Sequence, residues 1–153
     1  MSQRVTDPPS SPSRLRGFAV HVLPALIYVV AIFYGGSLTS AKLPRVEVSD
    51  KLVHLLAFAI LQLLAFRAVR FEWPRQGLKW HLVVSMISAS TIGAALEIYQ
   101  LFIKYRSAEV LDWVADTVGA LIAGGIVFLV LRGAKAEQAS APLSGRDSTE
   151  PAG

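Results

Sequence analysis

Four long apolar blocks, separated by short polar connections, organise this chain. The first runs from Phe18 to Leu38 and carries no charge. The second, Leu52 to Phe66, holds His54 and Gln62. The third, Trp80 to Ile103, has Glu97 and Gln100 near its end, and the fourth, Leu111 to Leu131, has Asp112 and Asp116 near its start. A helix rises about 1.5 Å per residue, so about 20 residues cross a bilayer core of roughly 30 Å. Blocks one, three and four reach that length. Block two reaches it when Asp50, Lys51, Arg67 and Arg70 sit at the interfaces with their stems snorkelling. Four buried helices of a soluble protein would need polar helix faces, and blocks one and four have almost none. The pattern predicts an all-α, polytopic membrane protein, a bundle of four transmembrane helices.

Composition agrees. Of the 153 residues, 53% are hydrophobic and 17% charged, against about 25% charged in an ordinary soluble domain. Mean hydropathy is +0.48, which excludes intrinsic disorder for most of the chain. The absence of Cys excludes disulfides, thiolate metal sites and a Cys nucleophile.

The net charge of +4 is explained by its distribution. Ten Lys and Arg residues fall in the leader, in the connection between blocks two and three, and in the tail; five fall in the other two connections. The excess predicts both termini in the cytoplasm, hence a multi-pass protein of the inner (cytoplasmic) membrane. Trp73 and Trp80 then mark the inner interface, and Tyr34, Tyr105 and Trp113 the outer one. No nucleic-acid partner is needed to explain the basicity. The first block also resembles a signal sequence, with small residues at Thr39-Ser40-Ala41, but its apolar run exceeds the usual 7–15-residue core. Residues 1–16 read as a disordered basic leader, 17–132 as the membrane domain and 133–153 as a disordered tail rich in Ala, Ser, Gly and Pro.

The polar residues inside the spans carry the chemistry. A charge at mid-helix costs about 2.5–3.5 kcal/mol on the insertion scale, so such residues persist where they pair, line a cavity or work. Asp50 and His54 share a face of the second helix; Asp112 and Asp116 share a face of the fourth, which Gly119 continues. Glu97 and Gln100 lie three apart on the third. All six sit toward the outer ends of their helices, at a similar depth. Arg106, between the third and fourth helices, is placed to reach back to them. Each has a plainer role open to it: His54 as an interhelical hydrogen-bonder, Asp112 as a helix cap, Arg106 as a counter-charge, Asp50 and Lys51 as interface residues. Glu97 and Asp116 lie within apolar sequence, where function is the default reading. Gly93, Gly119, Ala123, Gly124 and Gly125 read as sites of close helix packing.

The series Asp50-Lys51-x-x-His54-x-x-x-Phe58, Glu97-x-x-Gln100-x-Phe102, Arg106 and Asp112-x-x-Ala115-x-x-x-Gly119-Ala120 resembles the VanZ-like membrane proteins over roughly Asp50 to Gly125. Asp116 departs from the pattern, standing where the family is expected to carry Asn. The resemblance implies a small integral protein of the bacterial cell envelope; the founding member is associated with lowered sensitivity to the glycopeptide teicoplanin. It does not supply a reaction.

Three functions fit these residues. In the first, Lys51 and Arg106 hold the anionic head of an envelope lipid or lipid-linked cell-wall intermediate, and His54 and Glu97 supply acid–base chemistry. Asp50, Gln100, Asp112 and Asp116 complete the binding residues. The second is a proton- or cation-coupled transporter, for which an inner-side counterpart is missing. The third is an accessory protein whose buried pairs only hold the bundle together. No cofactor is expected. A divalent metal on His54 and carboxylates is chemically possible, but no tight ligand motif is present, so no metal is expected either. Membrane lipids are the expected partners, and the oligomeric state is left open.

Overall fold

The computed structural model describes residues 11–38, 50–104 and 108–140. All regular structure among them is helical: α1 (Ser11–His21), α2 (Leu23–Ser37), α3 (Asp50–Glu72), α4 (Leu78–Gln100) and α5 (Val110–Ser140). α1 and α2 together make one span of 25 residues, Ser13–Ser37, interrupted only at Val22. The interruption has a local cause. Pro24 has no N–H to give the preceding turn, and its ring crowds the carbonyl four residues back. The chain restarts its ladder with Ala25 N–H donating to the Val22 carbonyl at 3.0 Å.

Four helices are long and apolar enough to cross a membrane, and the molecule is inside-out in polarity. Large apolar side chains face outward along every span: Val30 on α2, Ile87 on α4 and Leu129 on α5 are 69%, 61% and 70% exposed. The buried set includes His54, Gln62, His81, Ser85, Glu97, Gln100, Asp112 and Asp116. In water such a surface far exceeds the apolar patch a soluble monomer tolerates; against lipid tails it is the expected exterior. The chain is a multi-pass membrane protein.

Inside, Phe58, Leu61, Ala89, Leu96 and Ala120 form a compact apolar core, with Tyr28, Val29, Ile32 and Phe33 of α2 packed on its flank. α3 is central and lies most extensively against α5. Small residues make that approach possible. A Cβ on Gly119 would meet the Leu55 carbonyl oxygen at 2.1 Å, so only glycine fits there. Gly124 is less constrained: its added Cβ would meet only side chains, the Met86 sulfur at 3.0 Å and the Gln62 amide at 3.4 Å. The short 73–77 turn joins α3 to α4, where Trp73 and Trp80 meet edge to face and His81 Nε2 lies 2.8 Å from the Trp73 carbonyl.

Two boundaries differ from the sequence reading. Helix extends over residues 11–16 and over 133–140, where a disordered leader and tail are expected. Ala134-Lys135-Ala136-Glu137-Gln138 explains the second extension: all are strong helix formers, continuing a helix already nucleated in the span. Residues 1–10 and 141–153 lie outside the described residues.

Candidate functional site

The start of α3, the end of α4 and the start of α5 come together at one end of the bundle. His54 and Asp116 are its buried centre. The imidazole Nδ1 lies 2.9 Å from Asp116 Oδ1, and Asp116 is fully buried. The i, i+4 spacing puts Asp112 one turn up the same face, with Oδ2 3.9 Å from His54 Nε2. His54 thus stands between two carboxylates of α5.

Lys51, one turn before His54, closes the site toward the surface. Its ammonium donates to Asp112 Oδ1 at 3.1 Å and to Glu109 Oε2 at 2.9 Å. The Lys51 and Glu109 side chains are 43% and 52% exposed, whereas that of Asp112 is 5% exposed. The Asp112 carboxylate is therefore engaged across the bundle, with α3.

Glu97 enters from α4. Its Oε2 accepts the backbone N–H of Glu109 at 2.9 Å, which ties the end of α4 to the residue just before α5. One carboxylate oxygen thus satisfies an otherwise unmade helix-start donor. Gly93, one turn earlier, lets the Asp116 carboxylate close on α4: a Cβ there would lie 2.7 Å from Asp116 Oδ2. Below this, the α4–α5 seam is pinned by Ser90 Oγ and Thr117 Oγ1 at 2.9 Å and by Trp113 Nε1–H donating to the Ser90 carbonyl at 3.1 Å.

Two three-residue sets bring potential ligand atoms within 4.8 Å of one another: His54, Glu97 and Asp116, all buried, and Asp50, His54 and Asp112, in which Asp50 is exposed. Asp116 Oδ2 and Glu97 Oε1 are buried with no hydrogen-bond partner among the described residues. Gln100 is also buried, but its amide nitrogen turns away toward α2, where a Cβ on Gly36 would lie 3.2 Å from it.

The sequence reading therefore converges on Asp50, Lys51, His54, Glu97, Asp112 and Asp116, while Gln100 faces a neighbouring element. Arg106, expected at the rim, lies outside the described residues, as does Tyr105. Glu109 was missed. Its signal was its position, an acid at the start of the fourth helix three residues before Asp112.

The opposite half of the bundle is not empty of polarity. Gln62 Nε2 donates to Ser85 Oγ at 2.8 Å, and both residues are fully buried. This pair is neutral, and Phe58, Ala89 and Ala120 of the apolar core lie between it and the acids. At the far end, a groove of about 340 Å³ is lined by His21, Phe66, Arg67, Arg70 and Phe71, well away from the acidic cluster.

No curated protein and no solved structure matches this chain. The family model described as VanZ/LLP1 matches residues 12–131. That stretch takes in the helix-three, -four and -five residues of the acidic cluster together with the apolar spans that carry them, and the chain belongs to the VanZ/LLP1 family.

Proposed function

We propose that this envelope protein binds the polar head of an envelope lipid or lipid-linked cell-wall intermediate at the acidic end of its bundle, on the outer side of the cytoplasmic membrane. The observation that carries the reading is the convergence itself. Three helices spend buried charge at one depth, and the same end presents the half-exposed Lys51–Glu109 pair to the interface. Packing alone does not require this, because bundles in lipid associate through small residues and neutral hydrogen bonds, both of which the rest of the molecule uses.

Arg106 and Lys51 are the cations for an anionic head group, which would have to compete with Glu109 and Asp112 for the Lys51 ammonium. His54, oriented by Asp116, and Glu97 are the groups with acid–base capacity should the bound head be modified. The outer placement rests on the Lys/Arg distribution. Lowered teicoplanin sensitivity would follow if the bound intermediate carries or shields the glycopeptide target. A transporter reading draws less support, since the polar pair in the other half is neutral and lies beyond an apolar layer.

The test is lipid mass spectrometry. The chain purified in mild detergent should carry a specific lipid class in excess of its membrane abundance, and Lys51→Ala should lose that excess. Cells lacking the protein should show altered levels of the same class and a shifted teicoplanin sensitivity. A co-purifying lipid profile equal to the bulk membrane in both proteins would defeat the reading.

A further inference from the structure

Carboxylates outnumber cations in this site. Asp50, Glu97, Glu109, Asp112 and Asp116 face Lys51 and His54 among the described residues. The buried part is the most unbalanced, because Lys51 is spent at the mouth on Glu109 and Asp112. Among the described residues, one imidazole is placed with Glu97 and Asp116.

We propose that His54, Glu97 and Asp116 form a buried site for one divalent transition-metal ion of the Zn²⁺ class. Three independent observations point there. The first is proximity: one nitrogen and two carboxylate oxygens lie within 4.8 Å of one another, each from a different helix. Tetrahedral ligands at about 2.0–2.1 Å from zinc stand roughly 3.3 Å apart; the His54 Nδ1–Asp116 Oδ1 contact of 2.9 Å is a hydrogen bond that an ion would have to open to that spacing.

The second is unused acceptor capacity. Asp116 Oδ2 and Glu97 Oε1 are buried without a hydrogen-bond partner among the described residues, on side chains 0% and 8% exposed. A carboxylate oxygen left so costs free energy unless a cation takes it. Asp116 Oδ2 is directed at α4 beside Gly93, one turn from Glu97.

The third is the outer sphere. A metal-bound imidazole ordinarily gives its other ring N–H to a carboxylate. Here Asp112, held through Oδ1 by Lys51, has its Oδ2 3.9 Å from Nε2, longer than a hydrogen bond and about 1 Å from completing that contact. With Nδ1 as ligand, Nε2–H faces Asp112, so metal replaces the proton between His54 and Asp116.

The donor set selects the ion. Imidazole with two carboxylates suits Zn²⁺ or its first-row neighbours. Mg²⁺ prefers to keep several waters and Ca²⁺ takes six to eight oxygens, which this buried trio does not offer. Three protein ligands would leave one zinc position for water or another donor. The inference deepens the lipid reading but is read on the protein without added lipid, so the two fail separately.

The experiment uses the full chain, purified in detergent through a tag without histidine and equilibrated with Zn²⁺, then with metal-free buffer. Elemental mass spectrometry should return one Zn²⁺ per chain, and Co²⁺ loading should give the visible absorption of a low-symmetry site with a nitrogen ligand. His54→Gln, Glu97→Gln and Asp116→Asn should each weaken Zn²⁺ at least about tenfold, the scale of lost coordination support. Ser85→Ala, in the other half of the bundle, should retain it. Wild-type protein that keeps less than a tenth of an equivalent overturns the proposal whether or not the variants fold. So does undiminished Zn²⁺ in the Glu97→Gln/Asp116→Asn double variant, which would place the ion elsewhere.

Discussion

Gly93 and Asp116 meet across the α4–α5 interface so closely that the glycine is the shape complement of the carboxylate: a Cβ on Gly93 would lie 2.7 Å from Asp116 Oδ2 and 3.1 Å from Asp116 Cβ. The carboxylate cannot occupy its place if α4 carries any side chain there. Gly93→Ala should therefore cost about 1–3 kcal/mol, the scale of overpacking in a closed interior. The increment should shrink when Asp116→Ala is made in the same chain, because neighbouring sites are not additive. Thermal unfolding in detergent of the four proteins measures both quantities. Equal increments in the two backgrounds would show that the clash lies elsewhere.

Two glycines of α5 make a sharper comparison. Gly119 faces the Leu55 backbone at a distance no Cβ tolerates, whereas Gly125 has nothing within 4 Å of its added Cβ. Gly119→Ala is expected to lower stability by about 1–3 kcal/mol. Gly125→Ala is expected to be neutral or to stabilise by up to about 1 kcal/mol, from helix propensity alone. Midpoints of denaturant or thermal transitions would rank them, and the reverse order would contradict the packing described above.

Glu97 has a structural duty distinct from its charge, since Oε2 accepts the Glu109 N–H. Glu97→Gln retains a carbonyl oxygen for that bond. Glu97→Leu retains none and leaves the donor unmatched. Measured with a chelator present, so that bound metal does not contribute, the Gln variant should lie within about 1 kcal/mol of the parent and the Leu variant about 1–3 kcal/mol below it. A Gln variant that loses stability as the Leu variant does would assign the whole effect to the charge.

Sidedness can be read directly because the chain has no Cys. Gln76 lies exposed in the turn between α3 and α4, on the side that the Lys/Arg excess assigns to the cytoplasm. A Cys placed at Gln76 should react with an impermeant maleimide only after the membrane is opened, and one at Lys104 should react in intact cells. The opposite pattern would invert the bundle and place the acidic site on the cytoplasmic face.

The spans were legible because their signal is one-dimensional. Apolar length alone separates Phe18–Leu38 or Leu111–Leu131 from any soluble helix, and the family pattern from Asp50 to Gly119 placed the polar residues on successive helices. The depth argument grouped His54, Glu97, Asp112 and Asp116, because rise per residue fixes height along a span. Rotation about the helix axis is less well determined. Gln100 shares the depth of Glu97, yet three residues along a helix turn the side chain by roughly 300°, enough for its amide to face Gly36 of α2. Glu109 escaped because its side chain works from a connection, where periodicity carries no information. The helical run past residue 132 was hidden by composition: Ala reads as bland, although it is the strongest helix former. The polar pair Gln62–Ser85 lies 23 residues apart in sequence, and only tertiary packing joins it.

The contact between Gly119 and the Leu55 carbonyl also sets how this molecule is able to move. With backbone against backbone and no side chain between them, α3 and α5 have no compressible layer over which to slide or roll. Lys51 fastens the same pair at its upper end. The two helices behave as a rigid frame. The α1–α2 span lies on the flank of that frame and is buried far less: 6% of its apolar window, against 33% for α3 and 28% for α5.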